Sequence, residues 1–238
     1  MRLSIECVLD KKEITISYNR KILSFFKKSL ENYNKDIKES FYGEDKEKDM
    51  SFSCFFLIEK IEKNILKLKL EKFKIFLTFN SLVEGIHYYN AFIKAQKESM
   101  KFFVEDGNSF TVENIVKLNE KNIEKNVAIF KTMSPVVIRE KRDNMSDWYH
   151  FLDKKGVEVL KKNLSFNLRD RFSEAMLNEI EIIPIDIKKT VVKFYEIQFT
   201  ATRGIFGIRG NKELLNYFYK SGIASRKSSG FGMLELIN

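Results

Sequence analysis

The chain has 238 residues, 44% hydrophobic and 32% charged, which is enough apolar surface for one large core or two smaller ones and argues against disorder. Lys and Arg outnumber Asp and Glu 42 to 33, a net charge of +9 that favours a polyanionic partner, either nucleic acid or an anionic membrane surface. No apolar run nears the roughly 20 residues that cross a bilayer, so a spanning segment is excluded and a cytoplasmic location is expected.

Arg2–Leu9 alternates apolar and polar residues and predicts a strand. Asn19 is placed to cap a helix in which Ile22, Leu23, Phe26, Leu30 and Tyr33 recur at helical spacing, with Arg20, Lys21, Lys27, Lys28 and Lys35 around it. Residues 36–49 read as a polar loop. Three strand-like runs follow, Ser51–Lys60, Asn64–Leu70 and Lys72–Asn80. Ser81 opens a second helix with Leu82, Val83, Ile86 and Ile93 on one side. Asp106-Gly107 between Phe102–Val104 and Phe110–Val112 is a hairpin signal. Cys7 and Cys54 lie in strand-like runs with no CxxC partner and are expected as reduced, buried thiols.

The second half repeats the order. Val127–Arg139 is strand-like, and Asp153 is placed to cap a helix through Val157, Leu160, Leu164, Leu168, Phe172 and Met176. Glu181–Lys188 and Thr190–Arg203 predict two strands. Asn211 caps a short helix ended by Gly222, and Phe231–Ile237 predicts a last strand. Two consecutive βαββαβ units predict an α+β protein of two tandem ferredoxin-like domains with antiparallel sheets, divided as 1–124 and 125–238.

Six of the ten glycines fall in the last 35 residues: Gly204, Gly207, Gly210, Gly222, Gly230 and Gly232. Between Arg203 and Gly232 stand six cations (Arg203, Arg209, Lys212, Lys220, Arg226, Lys227) and one acid, Glu213, so more than half of the net charge sits there. Glycines let a backbone aim its N–H groups at phosphate oxygens, and Ser225, Ser228 and Ser229 add hydroxyl donors beside Arg226 and Lys227. The segment Gly222-Ile-Ala-Ser-Arg-Lys-Ser-Ser-Gly-Phe-Gly232 therefore reads as a phosphate cradle, the plainer alternative being a solvated loop before an edge strand. It lacks GxxxxGK[ST] spacing and is no nucleotide P-loop.

That segment, followed by Met-Leu-Glu, resembles the glycine-rich loop and final strand of the CRISPR repeat-RNA endoribonucleases, Cas-six type, of the repeat-associated mysterious protein superfamily. Tyr18-Asn19 is similar to the start of that family's first helix. Lys48-Asp-Met-Ser-Phe-Ser53 resembles the strand after its catalytic loop, and Thr132-Met-Ser-Pro-Val-Val-Ile-Arg139 the strand opening its second domain. The pieces stand in the family's order across nearly the whole chain.

The resemblance implies a tandem ferredoxin-like fold and binding of precursor and mature CRISPR repeat RNA. It further implies metal-independent cleavage without a cofactor, in a monomer or homodimer that works alone or with other CRISPR effector subunits. In that reaction a ribose 2′-hydroxyl attacks the adjacent phosphorus and leaves a 2′,3′-cyclic phosphate. It uses a base, an acid and a cation at the phosphorane. The family's loop histidine has no counterpart in residues 34–50. Tyr42 stands about where it would be, Lys48 about where the family's lysine would be, and Tyr33 is the candidate family-like tyrosine. Tyrosine is a poor base at neutral pH, so the expected enzyme is slow, with a non-catalytic repeat-RNA-binding subunit as the alternative. The RNA-binding residues expected are Arg203, Arg209, Lys220, Ser225, Arg226, Lys227, Ser228, Ser229, Gly230 and Gly232. His87 and His150 read first as a packed helix residue and a loop residue. Two histidines 63 positions apart give no zinc spacing.

Overall fold

The apolar positions of the first strand all turn to one side. The computed structural model describes residues 1–43, 48–105, 107–142, 146–195 and 197–237. In it, β1 (Arg2–Leu9) buries Leu3, Ile5, Cys7 and Leu9 in one cluster with Phe25 and Phe26 of α1 (Asn19–Tyr33) and Tyr88 and Phe92 of α3 (Leu82–Lys97). β1 pairs antiparallel with β4 (Ile65–Phe79) on one edge and β6 (Asn108–Leu118) on the other. β3 (Met50–Glu62) lies outside β4, and β5 (Phe102–Glu105) outside β6; the short β2 (Glu13–Thr15) also joins β4. The order β3-β4-β1-β6, with two helices on one face, is the ferredoxin-like arrangement.

The second half builds the same pattern. β7 (Val127–Thr132) lies between β11 (Ile197–Arg209) and β12 (Leu234–Leu236), with β10 (Glu181–Phe194) outside β11. α4 (Lys154–Leu168) and α6 (Lys212–Ser221) cover one face through Leu160, Leu164, Leu214, Leu215 and Phe218. Among the described residues, no helix is long and apolar enough to cross a membrane.

Several expectations are corrected in detail. Residues 36–49 are not all loop: α2 (Lys35–Tyr42) forms because the Asn34 side chain caps it, accepting from the Ile37 N–H. Asn19 is not a cap; Tyr18 holds that position without a side-chain bond. The runs Asn64–Leu70 and Lys72–Asn80 are one strand, β4. The strand expected over Val127–Arg139 breaks at Ser134-Pro135. Its second part, β8 (Ile138–Glu140), pairs with β9 (Trp148–His150) as a separate ribbon. α4 stops at Leu168, and a five-residue helix, α5 (Glu174–Asn178), follows under a Ser173 cap. The β10–β11 turn falls at Tyr195, which takes φ 54°, not near Lys189.

The two sheets are joined by side chains buried between them. Arg2, only 2% exposed, donates to the Leu234 carbonyl (3.0 Å) and the Glu235 carboxylate (2.8 Å), with its guanidinium 4.4 Å from the Tyr219 ring centroid. The Thr78 hydroxyl donates to the Lys220 carbonyl (2.9 Å), and the Asn19 amide to the Ser229 carbonyl (2.8 Å).

Candidate nucleic-acid interface

The glycine-rich loop is the third part of this joint. Its backbone N–H groups are largely spent inside the fold: Ile223 donates to Gly232, Ser225 to Val137, Ser229 to Arg226, Gly230 to Lys227, and Gly232 to Pro135. Gly230 has φ +91°, and a Cβ there would lie 2.7 Å from both the Asn19 amide and the Phe52 ring. Gly232 has φ +68°, and its Cβ would lie 2.0 Å from the Ile223 carbonyl oxygen. These two glycines let the loop wedge between the halves. The open cradle of N–H groups expected from the sequence is therefore corrected. Gly230 and Gly232 are buried packing positions, and what the loop offers outward is the half-buried side chains of Ser225, Arg226, Ser228 and Ser229.

Lys227 is corrected too. It is 6% exposed, its amine lies 3.4 Å from the Tyr217 hydroxyl and 5.3 Å from that ring's centroid, so it does not stand in solvent waiting for a phosphate. Tyr217 donates in turn to Asp49 (2.7 Å), which also pairs with Arg171. Burial, then the Asp49 bond, raises the Tyr217 pKa. Burial, then the nearby Asp49 charge, raises that of Glu84. This acid–phenol–amine chain lies across the joint, from the loop before β3 to α6 and the glycine-rich loop. Sequence reasoning missed Asp49, Arg171 and Tyr217, because nothing local links residues more than 100 positions apart.

Arg226 sits in the left-handed region (φ 62°), among aromatic rings. It donates to the Tyr149 hydroxyl (3.1 Å), with its guanidinium 5.4 and 5.7 Å from the Phe194 and Phe199 centroids. Arg203 is exposed on β11 opposite Lys188, and its charge reaches Tyr18, beside the Asn19 amide that holds the loop. Two expected residues lie outside the loop itself. Arg209 is exposed and bound to Glu181 (2.8 Å). It lies seven residues, about 23 Å, along β11 from Thr202, which bridges Val136, the neighbour of the Val137 that bridges Ser225. Lys220 ends α6, and its charge is felt at the Met1 amino group.

The second cluster centres on Tyr42. Its hydroxyl is hydrogen-bonded to that of Tyr88 (2.8 Å), which is 1% exposed. Burial pushes the Tyr42 pKa up to about 12, so at neutral pH it is a phenol and not a base. The ring is flanked by two ammonium groups, Lys48 at 4.4 Å and Lys27 at 5.0 Å from its centroid. Lys27 was not singled out from sequence. It reaches Tyr42 because α1 and α2 fold back on each other. Tyr33 turns elsewhere, its ring 6.2 Å from that of His87, whose Nδ1 is buried without a hydrogen-bond partner among the described residues. His150 is bound to Glu140 (2.8 Å). Part of the expected catalytic loop, residues 44–47, lies outside the described residues.

The fold and this joint define a class. A structure titled as a Cas6-related gene product of Pyrococcus furiosus superposes with a TM-score of 0.84, at 22% identity, covering 100% of this chain and 98% of its own. A second, titled as a RAMP protein binding different RNA substrates, gives 0.81 at 18% identity over all of both chains. The protein thus has the fold of these neighbours, two tandem ferredoxin-like units. The profile described as CRISPR associated protein Cas6, C-terminal, matches residues 118–236, half of the chain, and the chain belongs to that family. The curated CRISPR-associated endoribonuclease-like protein Cas6 of Pyrococcus furiosus is 28% identical over 163 residues. That match covers 66% of this chain and 62%, less than two thirds, of the relative.

Proposed function

We propose that this chain binds CRISPR repeat RNA along the joint between its two halves and cleaves it slowly, by metal-independent 2′-hydroxyl attack that leaves a 2′,3′-cyclic phosphate. One observation carries the reading. The Asn19 amide ties the loop bearing Ser225, Arg226, Ser228 and Ser229 to the start of α1, while Lys27, eight residues or about 12 Å along the same helix, stands with Lys48 over Tyr42. A phosphate chain following α1 meets hydroxyl donors and Arg203 and Arg226 at one end and two ammonium groups at the other. The RAMP neighbour titled as binding different RNA substrates supports the RNA part. The Cas6 family supports the CRISPR repeat as the RNA.

In this proposal Lys27 and Lys48 stabilise charge on the phosphorane, and Tyr42 is the aromatic floor that fixes their positions. No histidine holds the Tyr42 position itself, the His87 ring packing 6.0 Å from that of Phe41, and a phenol in place of an imidazole makes the cut slow. The division into domains 1–124 and 125–238 belongs to the same proposal. A second reading, a repeat-binding subunit that does not cut, is favoured by the Tyr42–Tyr88 hydrogen bond, which engages the Tyr42 hydroxyl within the fold.

Incubation of the protein with labelled repeat RNA in EDTA decides between them. Cyclic-phosphate products that disappear when the ribose at the cut is 2′-deoxy support cleavage. Tight, salt-sensitive binding with intact RNA selects the second reading, and the absence of binding rejects both.

A further inference from the structure

The β8–β9 ribbon holds Arg226 through Tyr149, and on its other face it displays a large aromatic ring in the open. Strand alternation puts Trp148 and His150 on one face and Tyr149 on the other. Trp148 is 54% exposed, and the Arg142 guanidinium lies 3.3 Å from its ring centroid. A tryptophan packed for stability would hide most of its surface. Beside it a cleft of about 570 Å³ is bounded by Trp148, Tyr149 and His150 and, from β11, by Gln198, Phe199 and Thr200. That volume lies in the range of about 300–1,000 Å³ common for small-ligand sites.

The acids around the cleft are engaged. Asp147 accepts from Arg139 (2.6 Å), Glu140 is bound to His150 (2.8 Å), and Asp153 caps α4 by accepting from Gly156 (2.9 Å). A polyanion approaching Arg142 therefore meets Asp147 paired with Arg139, and Glu140 and Asp153 held by hydrogen bonds within the protein. The opposite face of the ribbon is tied to the glycine-rich loop: Tyr149 stacks on Phe199 at 4.3 Å and accepts from Arg226, and Val137 bridges Ser225.

We infer that Trp148, with Arg142 beside it, is a stacking platform for an unpaired nucleobase of the bound RNA, the cleft to Gln198 and Thr200 receiving the base edge. This extends the RNA reading and rests on it. An indole and a guanidinium plane are the surfaces on which single-stranded bases stack, with little sequence preference.

Trp148 is the sole tryptophan of the chain, so its fluorescence reports on this site alone. The full chain is titrated with fluorescein-labelled oligoadenylate and with a strand of equal length lacking bases, while anisotropy records binding independently. Oligoadenylate is expected to quench the tryptophan and the abasic strand to leave it unchanged. Trp148→Ala is expected to weaken oligoadenylate binding about tenfold, within the span of about 1–3 kcal/mol per stacked base, and Trp148→Phe to restore most of it. Binding by anisotropy with no quenching, and with the affinity of Trp148→Ala equal to the parent's, overturns the platform and leaves the RNA reading standing. Equal quenching by the abasic strand also overturns it. If neither strand, nor repeat RNA, binds the chain, the RNA reading falls and this inference with it.

Discussion

The guanidinium of Arg2, on the first strand, donates to the carboxylate of Glu235, on the last, across 2.8 Å. Arg2 is buried and Glu235 about two-fifths exposed, so the two partners differ in what their removal does. Glu235→Ala leaves the buried cation to the Leu234 carbonyl, the Met133 sulfur and the Tyr219 ring. It is expected to lower stability by about 1.5–3 kcal/mol, the range for hydrogen bonds to charged groups. Urea denaturation with an unchanged m-value checks this, and a midpoint equal to the parent's refutes it.

Gly232→Ala forces a side chain at positive φ against the Ile223 carbonyl, with a Cβ contact of 2.0 Å. Loss of about 2 kcal/mol or more is expected, from backbone strain and displaced packing together. RNA affinity should fall with it, because the loop loses its seat. Thermal unfolding and RNA anisotropy measured on the same sample test the linkage. Unfolding at the parent temperature contradicts the wedge.

Lys227 and Arg226 are neighbours with opposite expectations. Lys227→Met replaces a buried amine by an apolar chain of similar length and leaves Tyr217 bonded to Asp49. Its slope of log affinity against log salt should stay at the parent value. Arg226→Ala and Arg203→Ala should each reduce that slope by about one phosphate contact. A reduced slope for Lys227→Met would put its amine on the RNA after all.

Tyr42 holds its proton more tightly folded, with a pKa near 12, than unfolded, near 10. Its contribution to stability is therefore complete below pH 10 and is lost as the pH rises toward 12. Burial raises Tyr18 and Tyr217 in the same direction. Stability measured from pH 8 to 11 should fall only at the alkaline end. Cleavage should show no inflection from a tyrosinate between pH 7 and 9, and Tyr42→Phe should slow it less than Lys27→Ala or Lys48→Ala. That variant leaves the buried Tyr88 hydroxyl without its partner, at about 1–3 kcal/mol of stability. A cleavage rate that rises with pH and vanishes in Tyr42→Phe would restore the phenol as the base.

The elements that could be read from sequence were those with local chemistry. Asp153 and Asn211 cap their helices through their own side chains, and Gly107 takes the positive φ that its hairpin needs. The β10–β11 turn was misplaced because Tyr195 adopts positive φ where no glycine or asparagine marks it. The β8–β9 ribbon was hidden because its strands are three residues long. Lys48 and Tyr42, expected near each other from the order of pieces along the chain, do meet. Lys27 and the Asp49–Tyr217–Lys227 chain were missed because tertiary packing alone brings them together. The same packing turned the loop from an open cradle into a buried wedge. Its glycines signalled close approach correctly, but what approaches is Phe52, Asn19 and Ile223.

The wedge also sets an order of events during synthesis. Residues 222–232 leave the ribosome after all strands of the first sheet and three of the four in the second. Both sheets can form before the piece that fastens them exists. The fastening piece is thus made last, and a chain interrupted upstream of Gly222 carries both scaffolds without the wedge that seats them against each other.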